Sequence, residues 1–238
     1  VGAEAAATAR ELGVEVTLLE SAPVPLALAV GEETGRFLAQ LHRDHGVQVH
    51  TGAAVTEITA TGVRLGDGTV LPADDVLLAV GSVPNTEWLA GSDLTVRNGL
   101  VCDEHCAAAP EVYGVGDVAR WHNPLFDVDM RVEHRTNAAE QGMAVARTLL
   151  GERRPFAPVP YFWSDQYDVK LQAYGYLRDH DEALVLDCDP ATRQLLVVYR
   201  IGDRLTGVLA AGKSPKVLRA WRALIASGSP WSAALTAA

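Results

Sequence analysis

Apolar and polar positions change period several times along the chain. Residues 1–13 (VGAEAAATARELG) are Ala-rich, built of strong helix formers, and stop at a glycine, which predicts a helix with a C-terminal Gly stop. Residues 14–20 (VEVTLLE) become β-branched and apolar and end in an acid, the pattern of a parallel strand. Prolines mark 21–31 as a loop. Residues 32–45 set Phe37, Leu38 and Leu41 on one helical face, and 47–49 read as a short strand. Strands at 53–60, 62–65 and 69–71 form a meander whose Gly66, Asp67 and Gly68 make a hairpin turn. The run 75–80 (DVLLAV) predicts a buried strand that ends at a Gly81–Pro84 turn. A short strand at 100–103 is followed by 110–118 (PEVYGVGDV), which reads as an apolar strand ending in Gly116–Asp117 and running on toward a helix. Residues 121–129 read as a loop, and 131–150 as a segment that becomes a helix, capped by Thr136 or Asn137 and stopped at Gly151.

The character changes after Pro155. Aromatic residues crowd 156–175, and alternation in VKLQAY, ALVLD, QLLVVYR and LTGVLA predicts antiparallel strands, closed by a helix over 216–227. This is a small α+β unit whose boundary falls at 155–160.

Chemistry enters at three places. The order Gly2, helix, strand, Glu20 matches the second half of a dinucleotide-binding βαβ unit, in which an acid about 20 residues after the last glycine binds the ribose hydroxyls. Glu20 would repel a 2′-phosphate, which favours NAD(H) over NADP(H). An aspartate at the carboxyl end of a parallel strand faces the ligand crevice of an open α/β sheet, and Gly116 lets a cofactor approach the backbone. A plain Gly-Asp turn fits the same two residues. Gly81 marks a third strand-end position.

The 238 residues suffice for one large domain or two small ones, and a net charge of −10 argues against nucleic-acid binding. No apolar run is long enough for a bilayer and no signal peptide is visible, so no membrane partner is expected. The three cysteines, Cys102, Cys106 and Cys188, form no C-x-x-C, which points to a reduced, cytoplasmic setting. The histidines show no metal spacing. The chain opens with Val in the middle of a motif, so it is expected to be an N-terminally truncated fragment.

These pieces together resemble the FAD-dependent NADH:ferredoxin reductases of the putidaredoxin and rhodocoxin reductase type, in the pyridine nucleotide-disulfide oxidoreductase superfamily. The matching stretches are VGAEAA, AVGSVPNTE, VYGVGDVA, VEHRTNAAEQG and, most specifically, YFWSDQYDVKLQ. The resemblance implies a partial two-dinucleotide-binding, Rossmann-like α/β flavoprotein fold with a C-terminal α+β domain. It divides the chain into 1–82 (an NAD domain lacking its first strand), 83–156 (the second half of a FAD domain) and 157–238 (the C-terminal reductase domain). A fragment of this kind is not expected to hold FAD tightly or to be active by itself.

By the same resemblance Asp117, behind Gly116, holds the FAD ribityl chain. Glu4 lies near nicotinamide and flavin, Glu20 binds the NAD ribose beside Gly2, and Gly81 borders the bound NAD. Arg135 sits beside the flavin ring, with His134 near it, and Trp163 lies by the flavin and its electron exit. Glu4 and Trp163 are the expected catalytic positions. The implied cofactors are FAD and NAD, the implied partner is a [2Fe–2S] ferredoxin serving an oxygenase or P450, and the oligomeric state is open. Lys213, Lys216, Arg219 and Arg222, with Arg153 and Arg154, are a candidate basic dock for an acidic ferredoxin. Two other readings share the fold: a flavin-dependent disulfide or NADH oxidase-type reductase, and an interaction protein like apoptosis-inducing factor.

Overall fold

The computed structural model describes residues 1–237. Helix α1 (Gly2–Glu11) stops before Gly13, which takes φ +85°, and strand β1 (Thr17–Glu20) follows. Helix α2 (Ala27–Asp44) leads to β2 (Gln48–Thr51), which pairs in parallel with β1. The sequence pattern places the start of α2 later, at residue 32. The difference is a break at Gly31 (φ 79°, ψ 170°), ahead of which 27–30 make a separate helical turn. The meander forms as predicted, from β3 (Val55–Thr59), β4 (Gly62–Leu65) and β5 (Val70–Pro72).

The predicted buried strand at 75–80 does not form. The segment has no ladder partner among the described residues, and Leu77, Leu78 and Val80 are exposed. An extended segment becomes a strand only when a neighbour satisfies its backbone. Its Ala79 still packs closely on α1, where a Cβ on Gly2 would come within 2.8 Å of the Ala79 Cβ.

The middle of the chain adds β6 (Leu100–Cys102), β7 (Ala107–Ala109), β8 (Val112–Tyr113), β9 (Ala119–Asn123), β10 (Val128–Met130) and α3 (Arg135–Leu149). Three expectations need correcting here. First, β8 is two residues long and antiparallel to β7, so Asp117 does not end a parallel strand. Gly116–Val118 is a single 3-10 turn, and it enters β9 rather than a helix. Second, the loop expected over 121–129 is largely a hairpin. β9 buries Ala119, Trp121 and Asn123 in alternation and pairs in parallel with β6, but its outward Arg120 and His122 hide that period from a composition-based reading. Third, neither Thr136 nor Asn137 caps α3. Thr136 Oγ1 donates to the Tyr161 carbonyl (3.1 Å) and Asn137 Nδ2 to the Val132 carbonyl (3.2 Å), leaving His134 at an N-cap without a side-chain bond.

The C-terminal sheet contains β11 (Tyr161–Gln166), β12 (Val169–Gly175), β13 (Glu182–Asp189), β14 (Gln194–Ile201) and β15 (Arg204–Ala211), in the order β11-β12-β15-β14-β13. Successive residues of a strand face opposite sides. One side packs Leu171, Ala173, Val197 and Leu209 on Val30, Leu38 and Leu41 of α2. The other packs Val198, Leu205 and Val208 on Leu218, Trp221 and Ile225 of α4 (Pro215–Ala226), with α5 (Trp231–Ala237) beyond it. The sequence reading missed β11 as a separate strand and α5.

Leu38 and Leu41 are 0% and 3% exposed. At about 1.5–3 kcal/mol for each buried side chain, they fasten α2 firmly to the sheet. Tyr199 adds a polar tie, its hydroxyl donating to the Val30 carbonyl at 2.7 Å. Burial pushes that phenol up to about 12, so it stays a donor. Among the described residues no helix is long and apolar enough to cross a membrane.

Candidate cofactor and nucleotide site

Three elements make up the candidate site, two of them in contact with the α2-facing side of β11. The first is the Gly116 turn. Gly116 is buried at φ +76°, where L side chains are strained, and its amide donates to Gln141 Oε1 at 2.8 Å. Gln141, 0% exposed on α3, also accepts from Asn137 at 3.3 Å, so the helix grips the turn from within. Asp117 next to it is exposed. Its carbonyl accepts from Arg131 at 3.1 Å, but its carboxylate accepts no hydrogen bond among the described residues.

The second element is the N-terminus of α3, where His134 and the exposed Arg135 sit. The free amides and dipole of a helix start favour electron-rich groups. His134 packs against Phe162 of β11 with ring centroids 5.3 Å apart. Burial, helped by nearby Arg178, pushes its imidazole below the ordinary value. The third element is α1. Its Glu4 accepts a hydrogen bond from Ser164 Oγ of β11 at 2.9 Å.

A polar string joins these parts. Arg131 ion-pairs with Glu133 at 2.7 Å, and Glu133 also accepts from the Ser82 hydroxyl. Burial works against the Glu133 charge, but the bonds from Ser82 and Arg131 outweigh it and hold the carboxyl below its usual range. The string ties the Gly81–Ser82 turn to the Asp117 turn. Gly81 itself is exposed at φ +91° with open space at its Cβ position. Arg131, Glu133, Gln141 and Ser164 were not singled out from the sequence. The period-2 spacing of Arg131 and Glu133 just before α3 was the available signal for two of them.

The other candidates lie apart. Glu20 ends β1, where Oε1 accepts from the Ala22 amide at 2.9 Å. Trp163 stands on the α4-facing side of β11, opposite Ser164, and stacks on Tyr161 at 5.7 Å. It is 41% exposed. Glu4 and Trp163, paired as catalytic candidates in the sequence reading, therefore face opposite sides of one edge strand. Cys102 and Cys106 are buried, with thiols pushed up to about 11 and about 12 by burial. They are protonated, unreactive thiols at neutral pH.

The low imidazole values of His134 and of buried His42 have a consequence for stability. Both rings are held neutral in the fold, whereas the unfolded chain protonates them near 6.5. Below 6.5 the unfolded state binds more protons, so their stabilisation is complete above that value and is lost as pH falls through the lower folded values. The urea midpoint is expected to drop between about pH 7.5 and about pH 5.5, and His134→Asn should remove part of that drop.

Residues 1–142 match the pyridine nucleotide-disulphide oxidoreductase family and residues 161–238 match the reductase C-terminal family. The chain belongs to the pyridine nucleotide-disulphide oxidoreductase family and matches part of its two-dinucleotide-binding fold, followed by the reductase C-terminal domain. Among its relatives is the ferredoxin reductase subunit of a 5,5′-dehydrodivanillate O-demethylase from a Sphingobium species, 37% identical over 96% of this chain and 57% of the relative. Putidaredoxin reductase of Pseudomonas putida is 36% identical over 87% of this chain and 51% of its own length.

Two solved structures are close in shape. The ferredoxin reductase for the CYP199A2 system of Rhodopseudomonas palustris superposes with a TM-score of 0.88 at 32% identity, over 94% of this chain and 57% of that one. The covalent putidaredoxin reductase–putidaredoxin complex gives 0.87 at 34% identity, over 94% and 55%. The chain thus spans about half the length of the curated relatives it matches.

Proposed function

We propose that this chain supplies the nucleotide-facing, flavin-facing and partner-facing parts of an NADH-dependent, FAD-containing ferredoxin reductase serving an oxygenase or P450. The observation that carries the reading is the free Asp117 carboxylate. It lies in a turn held by the Gly116 amide on Gln141, near the uncapped start of α3, while Ser164 of β11 bonds Glu4. FAD bound there would supply the chemistry that joins a two-electron donor, NADH, to a one-electron acceptor, a [2Fe–2S] ferredoxin.

The residues present fit that group. Asp117 accepts hydrogen bonds from a sugar-like chain, and Gly116 leaves room at the backbone. The amide of Arg135 and its guanidinium offer positive potential to an electron-rich ring edge. Gly2 and Gly81 border the nicotinamide nucleotide, and Glu20 accepts from its ribose and rejects a 2′-phosphate. Glu4, bonded to Ser164, would lie toward the nicotinamide and the flavin. In this reading 1–82 binds NAD, 83–156 completes the FAD pocket, and 157–238 carries the electron exit at Trp163. The setting is cytoplasmic.

The exit side has the chemistry an acidic ferredoxin requires. Tyr161, Trp163 and Tyr174 form an aromatic row on the α4-facing side of the sheet, and Arg222 lies over the Tyr174 ring at 5.8 Å. Lys216, Arg219 and Arg222 are exposed without an ion-pair partner among the described residues. Lys213 drops out of the predicted stripe. Its side chain is 13% exposed, and its ammonium pairs with Asp187 and donates to Gln194 at 2.6 Å. Arg153 is engaged with Asp103 at 3.8 Å. The protonated, buried Cys102 and Cys106 weigh against the disulfide-reductase reading.

The steady-state test is NADH-dependent cytochrome c reduction by the flavin-loaded enzyme. Reduction that requires added [2Fe–2S] ferredoxin supports the reading. The same rate with and without any ferredoxin rejects it.

A further inference from the structure

Between Glu20 and the long part of α2 the chain makes a loop that is fastened at three places. Its first residues hang on the chain just after β2: the Glu20 carbonyl accepts from the Ala53 amide and the Ala22 carbonyl from the Gly52 amide, both at 2.9 Å. Its middle lies on α2, where Gly35 sits so close to Val24 and to the Pro25 carbonyl that a Cβ would not fit. Its last residues are the helical turn 27–30. The chain enters that turn through Leu26 in the left-handed region (φ 59°) and leaves it through the break at Gly31.

This turn cannot hold itself. The Ala29 and Val30 amides donate to the Leu26 carbonyl at 2.8 and 3.0 Å, but a single helical turn costs more to nucleate than its bonds return. A left-handed leucine adds strain that the surroundings must hold. Among the described residues one side chain bonds the backbone of 26–31. It is Tyr199 of β14, whose hydroxyl lies 2.7 Å from the Val30 carbonyl and 3.2 Å from Thr34 Oγ1, on the other side of the break. A phenol has one proton and a carbonyl only accepts, so Tyr199 donates to Val30 and accepts from Thr34. Tyr199 and Thr34 are 0% exposed, which shields both bonds from water. His180, also from the C-terminal domain, closes the other side. Its Nδ1 donates to the Leu177 carbonyl at 2.7 Å, its ring meets Tyr199 edge-on at 5.2 Å, and a Cβ on Gly31 would come within 3.3 Å of its Cε1.

We propose that Tyr199 is a positioning residue for NADH binding: from the C-terminal sheet its hydroxyl spans the Gly31 break and fixes the loop that follows the ribose-binding Glu20. The kinetic part rests on the ferredoxin-reductase reading. The hold on the loop does not. Glu20 lies apart from Glu4 and the Asp117 turn, so the effect falls on affinity and leaves the rate at saturation alone. Removing the hydroxyl strands the Val30 carbonyl and the Thr34 hydroxyl without a partner in the core, and the turn is the part free to move.

The test has two arms on the flavin-loaded enzyme. In Tyr199→Phe the amides of Ala29 and Val30 should exchange hydrogen roughly tenfold faster or more, a larger rise than in β1 or β2. Unchanged protection, or an equal rise throughout the domain, overturns the proposal. In rapid mixing, Tyr199→Phe should weaken NADH binding roughly fivefold to tenfold, with the limiting rate of flavin reduction within about twofold of wild type. Thr34→Val should move affinity in the same direction, and Thr34→Ser, which keeps the hydroxyl, should bind like wild type. Unchanged affinity in Tyr199→Phe, a fall in the limiting rate instead, or Thr34→Ser as weak as Thr34→Val also overturns it. If Tyr199→Phe fails to fold, Thr34→Val carries both arms. Absence of any NADH oxidation in the wild type would sink the functional reading and leave hydrogen exchange to decide the hold on the loop.

Discussion

Replacing Asp117 with alanine is expected to weaken FAD binding roughly tenfold to a hundredfold, the range for loss of a charge-assisted hydrogen bond of about 1.5–3 kcal/mol. The side chain is exposed and accepts no hydrogen bond among the described residues, since the turn is held by the Gly116 amide on Gln141 and by the Asp117 carbonyl on Arg131. Its removal should therefore change stability by less than about 0.5 kcal/mol, as for an ordinary surface position. Equilibrium dialysis against FAD and a urea melt of the apoprotein measure the two effects separately. Asp117→Asn keeps an acceptor oxygen without the charge and should fall between wild type and alanine. An alanine variant that binds FAD like the wild type would show that Asp117 is only a turn residue. One that lost FAD and stability together would show that its role is structural.

Reversing charge at both Arg219 and Arg222 is expected to raise the KM for ferredoxin tenfold or more, roughly, while NADH oxidation by a small acceptor such as ferricyanide stays unchanged. These arginines lie on the exposed side of α4, next to the aromatic row of Tyr161, Trp163 and Tyr174 and away from the Asp117 and Glu4 groups. Their charges act on encounter, so the wild-type KM should rise with salt and that of the double variant much less. Arg222 also gives up its place over Tyr174, a loss on the order of 0.5–1 kcal/mol in stability at an exposed site. That is too small to mimic the kinetic effect. An unchanged ferredoxin KM would remove this face from the docking account.

Much of the architecture could be read along the chain because its periods are clean. The Ala-rich α1, the meander with its Gly66–Asp67–Gly68 turn and the alternating β12, β14 and β15 each carry a pattern that one element alone satisfies. The misreadings share one physical cause: what was judged locally depended on distant neighbours. Residues 75–80 have the composition of a core strand, but no strand lies beside them in the described residues to complete a ladder. β9 has polar outward residues and looked like a loop, although parallel pairing with β6 makes it a strand. Thr136 and Asn137 have cap chemistry, and contacts to Tyr161 and Val132 draw them away.

The site divides in the same way. Gly116, Asp117 and Glu4 could be singled out because each holds a fixed place in a motif. Gln141, Arg131, Glu133 and Ser164 act through partners as far away as Glu4 is from Ser164 in the sequence. Apart from the period-2 spacing of Arg131 and Glu133, nothing local marks such residues. The sidedness of Trp163 follows from strand alternation, but only once β11 is known to be an edge strand standing between α1 and α4.

The central claim is that these residues serve electron flow from NADH through FAD to a ferredoxin. Anaerobic double-mixing of the flavin-loaded enzyme tests it most directly. NADH should bleach the visible flavin absorbance, and a second push with oxidised [2Fe–2S] ferredoxin should restore it as the iron–sulfur absorbance falls. Bleaching by NADH that ferredoxin leaves untouched while molecular oxygen or a disulfide reverses it would contradict the account.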